Sequence, residues 1–259
     1  MMQQSKGAEI ARGKTKVLYE CAGEPERLIV EQMDAITAGD GARRDVISGK
    51  GRLAALTTSR VFRFLNRRGL PTHYLGGGED VDHNAMLVRR CAMIPLEVVV
   101  RRVVAGSYAR RNPGVPRGTR LEPHVVEFFL KDDEHHDPMI AVDEIVARGI
   151  ASPQEVERLG ALARATFDAL EEAWQDRNVT LVDLKVEFGR LTGGERNGQL
   201  VLADVVDNDS WRIWPQGREE TMLDKQIYRN LAQSDAEGLA RVKRAYEEVA
   251  EAVAGFDSR

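Results

Sequence analysis

Apolar and polar residues alternate along the first part of the chain, and the period then changes to that of a helix. Residues 14–20 and 27–32 carry the alternation that is typical of β-strands. From residue 50 to 68 the apolar positions recur at three- and four-residue steps, which predicts a helix that ends at Gly69 and Pro71. Further strands are predicted at residues 72–75, 85–91 and 94–104.

The second part of the chain contains two helices with strong start signals. Residues 152–155 and 234–237 both have serine first and glutamate fourth, which is the capping box that begins a helix. Each box is followed by apolar residues at helical spacing. A short strand at 127–130 and a hairpin of residues 179–189 and 199–206 are also predicted. Strands and helices do not alternate regularly, so the sequence predicts an α+β fold.

The composition is that of a folded, globular protein. The 259 residues are 42% apolar and 30% charged, enough for one large domain or two small lobes. The net charge of −4 gives no polybasic surface, so we expect no nucleic-acid partner. Cys21 and Cys91 lie far apart without ligand-like neighbours, which argues against a disulfide framework. No signal peptide or membrane-length apolar run is present, so we expect a cytoplasmic protein without a membrane partner.

One strand of the hairpin places charged side chains on a single face. Asp183, Lys185 and Glu187 alternate with apolar residues, and the partner strand adds Asp204. The simplest interpretation is a solvated outer face. However, an acid–base–acid pattern with a further acid on the partner strand is dense for such a face. We therefore regard this hairpin as the strongest candidate for a functional site.

The spacing across the hairpin turn predicts a pair of carboxylates. If the strands are symmetric about Glu195 and Arg196, Glu187 lies directly opposite Asp204. Carboxylates in that position repel each other unless a divalent cation lies between them. Oxygen ligands suit Mg²⁺ that also binds phosphates. The register thus predicts a Mg²⁺ site, and a shift of one residue would break the pairing.

A glycine followed by two lysines provides a second candidate. Gly13 allows the backbone to approach a ligand closely, and Lys14 and Lys16 share one face of the predicted strand. Thr15 then faces the other side. The arrangement can hold a polyphosphate, although basic residues on an edge strand are often only solubilising.

A buried, valine-rich strand carries a third candidate. Arg101 lies in this strand, and a turn containing Ser107 follows it, so a guanidinium and a hydroxyl are available to one phosphate. The adjacent Arg102 points to the opposite face, and only one of the two arginines can line a site. A structural ion pair is the alternative interpretation.

The polar segment after residue 130 also requires an interpretation. His135 and His136 are adjacent, so their side chains diverge in an extended segment, and no third ligand is evident. We therefore interpret the histidines as part of a solvated loop. Lys131 and the acids that follow it are better candidates for contacts with a polar substrate.

The motifs occur in an order that resembles one family, the SAICAR synthetases (phosphoribosylaminoimidazole-succinocarboxamide synthases). The resemblance extends from about residue 8 to the C-terminus, and the set is specific although each motif alone is not. It rests on residues 12–16, 37–42, 98–107, 130–138, 181–189 and 202–214.

The resemblance implies an ATP-dependent ligase that joins carboxyaminoimidazole ribotide (CAIR) to L-aspartate through an acyl phosphate. It implies a small β-rich, kinase-like lobe over residues 1–93 and a larger ATP-grasp-like α+β lobe over residues 94–259. ATP, Mg²⁺, CAIR and L-aspartate are the expected ligands. The resemblance does not decide between a monomer and a homo-oligomer. A kinase-like phosphotransferase and a non-catalytic nucleotide sensor are the competing interpretations, although the kinase motifs are missing.

The resemblance also assigns roles to individual residues. Residues 88–93 match the connection between lobes that receives adenine, and Asp224 begins a motif in which Gln226 replaces the usual acid. The implied ATP contacts are Gly13, Lys14, Lys16, Met93 and Lys131; the implied substrate contacts are Arg101, Ser107, Arg212 and Asp133. The implied metal ligands are Glu187 and Asp204, and the implied catalytic residues are Lys185 and Asp40. Trp211 and Trp214 are interpreted as packing residues.

Overall fold

The computed structural model describes residues 5–39, 41–78 and 84–257. In these residues two five-stranded antiparallel sheets, a two-stranded ribbon and six α-helices are found, which confirms the α+β class. The strands are β1 Lys6–Arg12, β2 Lys16–Cys21, β3 Arg27–Gln32, β4 Ala35–Ala38, β5 Arg43–Val46, β6 Tyr74–Gly77, β7 Ala85–Arg89, β8 Cys91–Val103, β9 Arg120–Leu130, β10 Val179–Leu191, β11 Leu200–Ala203 and β12 Trp211–Pro215. The helices are α1 Lys50–Arg67, α2 Gly106–Arg111, α3 Val142–Ala147, α4 Pro153–Gln175, α5 Gln226–Asn230 and α6 Ala236–Ala254.

The first sheet has the strand order β1-β2-β3-β7-β6. The predicted strand at 27–32 is confirmed as β3, whereas β2 begins at Lys16 rather than at residue 14. The sequence pattern missed β1, because every residue of that edge strand is exposed and no buried face imposes an alternation. The predicted strand at 85–91 is two strands, since β7 ends at Arg89 and β8 begins at Cys91.

The second sheet is built around β10, and it has an interrupted edge. β11 pairs with residues 187–190 of β10, and β12 pairs with residues 179–184 on the same edge. Between them the chain leaves the sheet and returns at Ser210, whose carbonyl accepts a hydrogen bond of 2.7 Å from the amide of Lys185. The interruption therefore brings loop 204–210 alongside the charged positions of β10.

The N-termini of helices α4 and α6 show whether the two predicted capping boxes form. The box of α4 is confirmed, because the Ser152 hydroxyl and the Glu155 carboxylate each accept a backbone hydrogen bond from the other residue. The box predicted at residues 234–237 is wrong. The N-cap of α6 is Asp235, which accepts from the amide of Gly238 at 2.7 Å. Ser234 instead donates to Asp45, so a tertiary contact outside the helix takes its hydroxyl.

The apolar core joins the first part of the chain to the last. Leu53 of α1 packs in one cluster with Val242 and Tyr246 of α6. Trp211 and Trp214 are 3% and 5% exposed, which confirms them as packing residues. β8 passes without a break through residue 93, and a division of lobes there stays a prediction.

Cys21 and Cys91 are free thiols, as the sequence predicts. Within the described residues, none of the helices combines the length and apolar character that crossing a membrane requires.

Candidate active site

A polar cavity of about 490 Å³, here called the central cavity, lies where the two sheets meet. The turn before β2 contributes Lys14, the first residue of β2 is Lys16, and β8 contributes Glu97 and Arg101. The charged face of β10 contributes Asp183, Lys185 and Glu187, and the chain after β11 adds Asp204 and Arg212. The solvated-face interpretation of this hairpin is therefore wrong, since Asp183 and Glu187 are only 5% and 6% exposed.

The predicted register of the hairpin is wrong by one residue. Glu187 pairs with Ala203, not with Asp204, and β11 ends at Ala203. Both carboxylates nevertheless line the central cavity. Asp204 has a left-handed backbone with φ of 61°, which turns the chain out of the strand direction. A change of backbone conformation thus places both carboxylates at one cavity, where strand alternation alone would separate them.

Each carboxylate at this end of the cavity is paired with a lysine. Lys16 forms an ion pair with Asp204, and the Lys131 ammonium lies 2.6 Å from the Glu187 carboxylate. Lys185 pairs with Glu97, which the sequence reasoning did not single out. Glu97 could have been found from register alone, because it lies opposite Glu187 on β8. We call this group the lysine end.

Burial and neighbouring charge shift the pKa values at the lysine end in opposite directions. Burial lowers the pKa of Lys16 to about 8, in spite of the Glu187 charge. Burial also acts against the charge of Lys185, but Glu97 and Glu187 outweigh it and raise its pKa. Burial disfavours the Glu187 carboxylate, yet the surrounding lysines lower its pKa. Lys185 and Glu187 therefore remain charged at neutral pH.

The other end of the central cavity, the arginine end, contains two guanidinium groups that share one carboxylate. Arg101 donates to Asp183 and to the Ser107 hydroxyl, both at 3.1 Å, and also to Glu127. Arg212 donates to the same oxygen of Asp183. Arg101 thus lines the site and is also held by ion pairs, which combines the two interpretations that the sequence left open.

The neighbouring Arg102 confirms the prediction of opposite faces. Its guanidinium makes two hydrogen bonds of 2.8 Å to Glu171 of helix α4, away from the central cavity. The sequence analysis identified Asp183 only as part of the charged face. It did not predict that this carboxylate accepts hydrogen bonds from both arginines.

An apolar cavity of about 350 Å³ adjoins the lysine end. Leu18, Leu28, Val30 and Val88 contribute from the first sheet, and Met93 and Pro95 contribute from the start of β8. Lys16, Lys131, Glu187 and Asp204 line its polar margin. This shape suits a flat, apolar group that is joined to an anion.

The turn that carries the first two lysines differs from the prediction. The Gly13 amide donates to the Lys16 carbonyl at 2.9 Å, which closes a tight turn before β2. The strand begins only at Lys16, and Thr15 lines the central cavity together with Lys14 and Lys16. Strand alternation therefore does not apply at Thr15, and the prediction that its side chain faces away stays a prediction.

The sequence analysis missed an acidic pair on loop 204–210, the buried Asp207 and the half-buried Asp209. Asp209 accepts hydrogen bonds from Lys225, at 2.6 Å, and from the hydroxyl of Tyr246 on α6. Burial and the Asp209 charge raise the pKa of Asp207 to about 6, whereas Lys225 and Lys50 lower that of Asp209 despite its burial. These partners are distant in sequence, so no local pattern indicates them.

Several remaining predictions are placed or left open by the structure. Asp40 and the side chain of Asp133 lie outside the described residues. His135 is largely exposed and contacts Asp132, as expected for a solvated loop. Gln226, at the position of the family's acid, donates to Asn230 within α5 at 2.8 Å.

The carboxylates fit a magnesium ion only if further ligands come from elsewhere. Over residues 5–39, 41–78 and 84–257 there is no group of three or more metal-type side chains. Glu187 and Asp204 supply two carboxylates at one cavity. Mg²⁺ is commonly held by one or two carboxylates together with phosphate oxygens and water, so this donor set fits that ion.

Comparisons with known proteins identify the family. The family model described as SAICAR synthetase matches residues 9–246. A phosphoribosylaminoimidazole-succinocarboxamide synthase from Roseiflexus sp. is 54% identical over 245 residues, which are 95% of this chain and 96% of that protein.

Solved structures give the same result. The synthase from Ehrlichia chaffeensis has a TM-score of 0.84 at 30% identity, over 95% of this chain and 98% of the other. A SAICAR synthetase in complex with ADP has a TM-score of 0.83 at 34% identity, over 95% and 97%. The chain therefore belongs to the SAICAR synthetase family.

Proposed function

We propose that the central cavity is where this SAICAR synthetase activates the carboxylate of CAIR with ATP and joins it to the amine of L-aspartate. One observation carries the proposal: β10 presents Asp183, Lys185 and Glu187 to a single cavity, with lysines at one end and arginines at the other. A neutral-pH carboxylate resists attack by an amine, and conversion to an acyl phosphate with release of ADP removes that barrier. Such phosphoryl transfer requires positioning and charge neutralisation more than a nucleophilic side chain.

The nucleotide is assigned to the lysine end and the adjoining apolar cavity. Its base would lie against Met93 and the apolar residues of the first sheet, and its phosphates would contact Lys14, Lys16 and Lys131 beside the Gly13 turn. The ADP complex of a relative with the same fold supports a nucleotide in this protein. Lysine ammonium groups suit this task because they are compact charges that can exchange one oxygen partner for another.

Glu187 and Asp204 are the residues that would hold Mg²⁺. When bound, the ion supplies neutralisation of charge at the phosphate oxygens. Lys16 and Lys131 neutralise the same two carboxylates in the structure, so both side chains are available to turn toward phosphate when a cation binds. Lys185, kept protonated by Glu97 and Glu187, would stabilise negative charge on the transferred phosphoryl group.

The ribotide phosphate is assigned to the arginine end. Arg101 and Arg212 present guanidinium N–H groups to the cavity, and Ser107 adds a hydroxyl. Planar guanidinium groups bind phosphate with two parallel hydrogen bonds, which fixes orientation as well as charge. The proposal also includes roles for Asp40 and Asp133 in binding CAIR, which rest on the family motif. A cytoplasmic location and a homo-oligomer are further parts of the proposal.

A steady-state assay of ADP release tests the proposal. ADP should form only when ATP, Mg²⁺, CAIR and L-aspartate are all present, with an equal amount of amide product. ADP release that needs no L-aspartate, with no amide product, would identify a kinase-like phosphotransferase instead. Nucleotide binding without any turnover would identify a sensor.

A further inference from the structure

Another polar cavity, of about 300 Å³, lies beside the apolar cavity, and of its lining residues in the described chain Arg89 is the one that lines both. We call it the outer cavity. It forms where the ends of β6 and β7 meet the ends of β10 and β11, and Tyr74, Arg89, Arg196 and Gln199 are among the residues that line it. None of these residues lines the central cavity, so the outer cavity requires its own explanation.

Arg89 has an unusual electrostatic environment. It is half-buried, and among the described residues it has no carboxylate partner. It lies directly opposite Arg27 across the β3–β7 pair, and like charges in that position are destabilising. Arg27 is paired with Glu24, at 2.6 Å, whereas Arg89 is not. Burial and the charges of Arg196 and Arg27 lower the pKa of Arg89.

Arg196 brings a second positive charge to the same cavity. It lies in the exposed turn between β10 and β11, where its side chain is not needed for the core. The strand pairing of residues 187–190 with 200–203 holds the base of that turn. Two arginines therefore converge on one cavity from different sheets, and their mutual repulsion is a cost of the unliganded fold.

We propose that the outer cavity binds a small phosphorylated compound, with its phosphate between Arg89 and Arg196. A phosphate monoester carries close to two negative charges at neutral pH and matches two guanidinium groups, whereas a single carboxylate would neutralise only one. The cavity is larger than a phosphate group, so an organic part would lie against Leu75, Leu191 and Val201. Its size is at the lower limit of small-molecule sites.

The test is a calorimetric titration of inorganic phosphate, and in parallel of ribose 5-phosphate, into the intact protein saturated with ADP. ADP is present because Arg89 also lines the apolar cavity, and filling that cavity removes binding there. Phosphate that binds at the arginine end is identified with the Arg212→Lys variant described below. Arg196→Ala should weaken phosphate binding about tenfold or more. Ribose 5-phosphate should bind more tightly than inorganic phosphate and should show the same loss.

Two control variants distinguish phosphate binding at the outer cavity from binding at the active site and from non-specific attraction to surface arginines. Arg212→Lys, at the arginine end, and Arg158→Ala, at an exposed position of α4, should leave the Arg196-dependent binding unchanged. Because Arg196 is exposed, its substitution should not disturb folding, so the result can be interpreted directly. The proposal is overturned if wild type and Arg196→Ala bind phosphate equally, if wild type binds none, or if only Arg212→Lys loses binding.

Discussion

The two ends of the central cavity neutralise charge in different ways. At the lysine end every carboxylate has its own cation: Asp204 has Lys16, Glu187 has Lys131, and Glu97 has Lys185. At the arginine end three guanidinium groups, those of Arg101, Arg111 and Arg212, share two carboxylates, those of Asp183 and Glu127. The lysine end thus consists of one-to-one ion pairs, whereas the arginine end has one more cation than carboxylates.

Under the proposed function, this difference in charge predicts how each end of the cavity binds its ligand. Balanced pairs of compact ions can be opened and exchanged when phosphates and a cation arrive together, since the total charge stays close to constant. An excess of fixed guanidinium charge instead favours the binding of one anion. The comparison predicts that the lysine end sets the rate of the reaction and the arginine end sets the affinity for CAIR.

The largest effect is expected for Asp204→Asn. If Asp204 holds Mg²⁺ as proposed, its loss should lower kcat by about 100-fold or more, because the ion would contribute several kcal/mol of charge stabilisation. The KM for CAIR should change little. Steady-state kinetics as a function of Mg²⁺ concentration measures this, with Asp143→Asn, an exposed acid on α3, as the matched control. Near-normal turnover at saturating Mg²⁺ would remove Asp204 from the metal site.

Arg212→Lys should act on the opposite end. An ammonium cannot reproduce the two-pronged guanidinium contact, so the KM for CAIR should rise about tenfold or more. The KM for ATP should stay within about twofold, because the lysine end is untouched. Arg218→Lys, an exposed arginine nearby, is the control. Equal losses for both substrates would mean that the two ends are not separate.

Gly106→Ala tests the position of Arg212 without removing its charge. Gly106 has φ of 51°, and an added Cβ would lie 2.5 Å from an Arg212 guanidinium nitrogen. The arginine must therefore move, and the KM for CAIR should rise several-fold while the free energy of unfolding falls by about 1 kcal/mol. Gly114→Ala, where nothing lies within 4 Å, should be neutral in both measurements. An unchanged KM for CAIR in Gly106→Ala would show that the present position of Arg212 is not needed.

The smallest effect is expected for Ser107→Ala. Arg101 loses one acceptor but keeps Glu127 and Asp183, so its guanidinium should stay in place. A loss of about 1 kcal/mol corresponds to a KM for CAIR that is about fivefold higher. If the KM instead rises as much as in Arg212→Lys, the hydroxyl contributes as much to CAIR binding as the Arg212 guanidinium does.

The hairpin of β10 and β11 shows which features of the site can be predicted from the sequence. Strand periodicity correctly placed Asp183, Lys185 and Glu187 on one face, because alternation depends only on the local backbone. The register was wrong by one residue, since it depends on how the turn closes. Asp204 still lines the site through its left-handed backbone, which the residue type alone does not reveal.

Contacts between distant segments account for what sequence reasoning missed. The pairs Lys16–Asp204 and Tyr246–Asp209 join residues 188 and 37 positions apart, and neither leaves a periodic trace. The N-cap of α6 was misplaced for the same reason, because Asp45 takes the Ser234 hydroxyl. Tertiary partners, rather than local propensity, decide these positions.

The continuous strand β10 has a consequence for molecules designed to bind this protein. Asp183, at the arginine end, and Glu187, at the lysine end, are four residues apart on that strand, which corresponds to about 13 Å. A hydrogen-bonded strand stretches very little, so the distance between these two residues is nearly constant. Lys16 belongs to the other sheet and Lys14 to the turn before it, so neither lysine is subject to that constraint. A single inhibitor that bridges both ends should therefore need a rigid linker matched to β10, and a longer, flexible linker should gain little affinity.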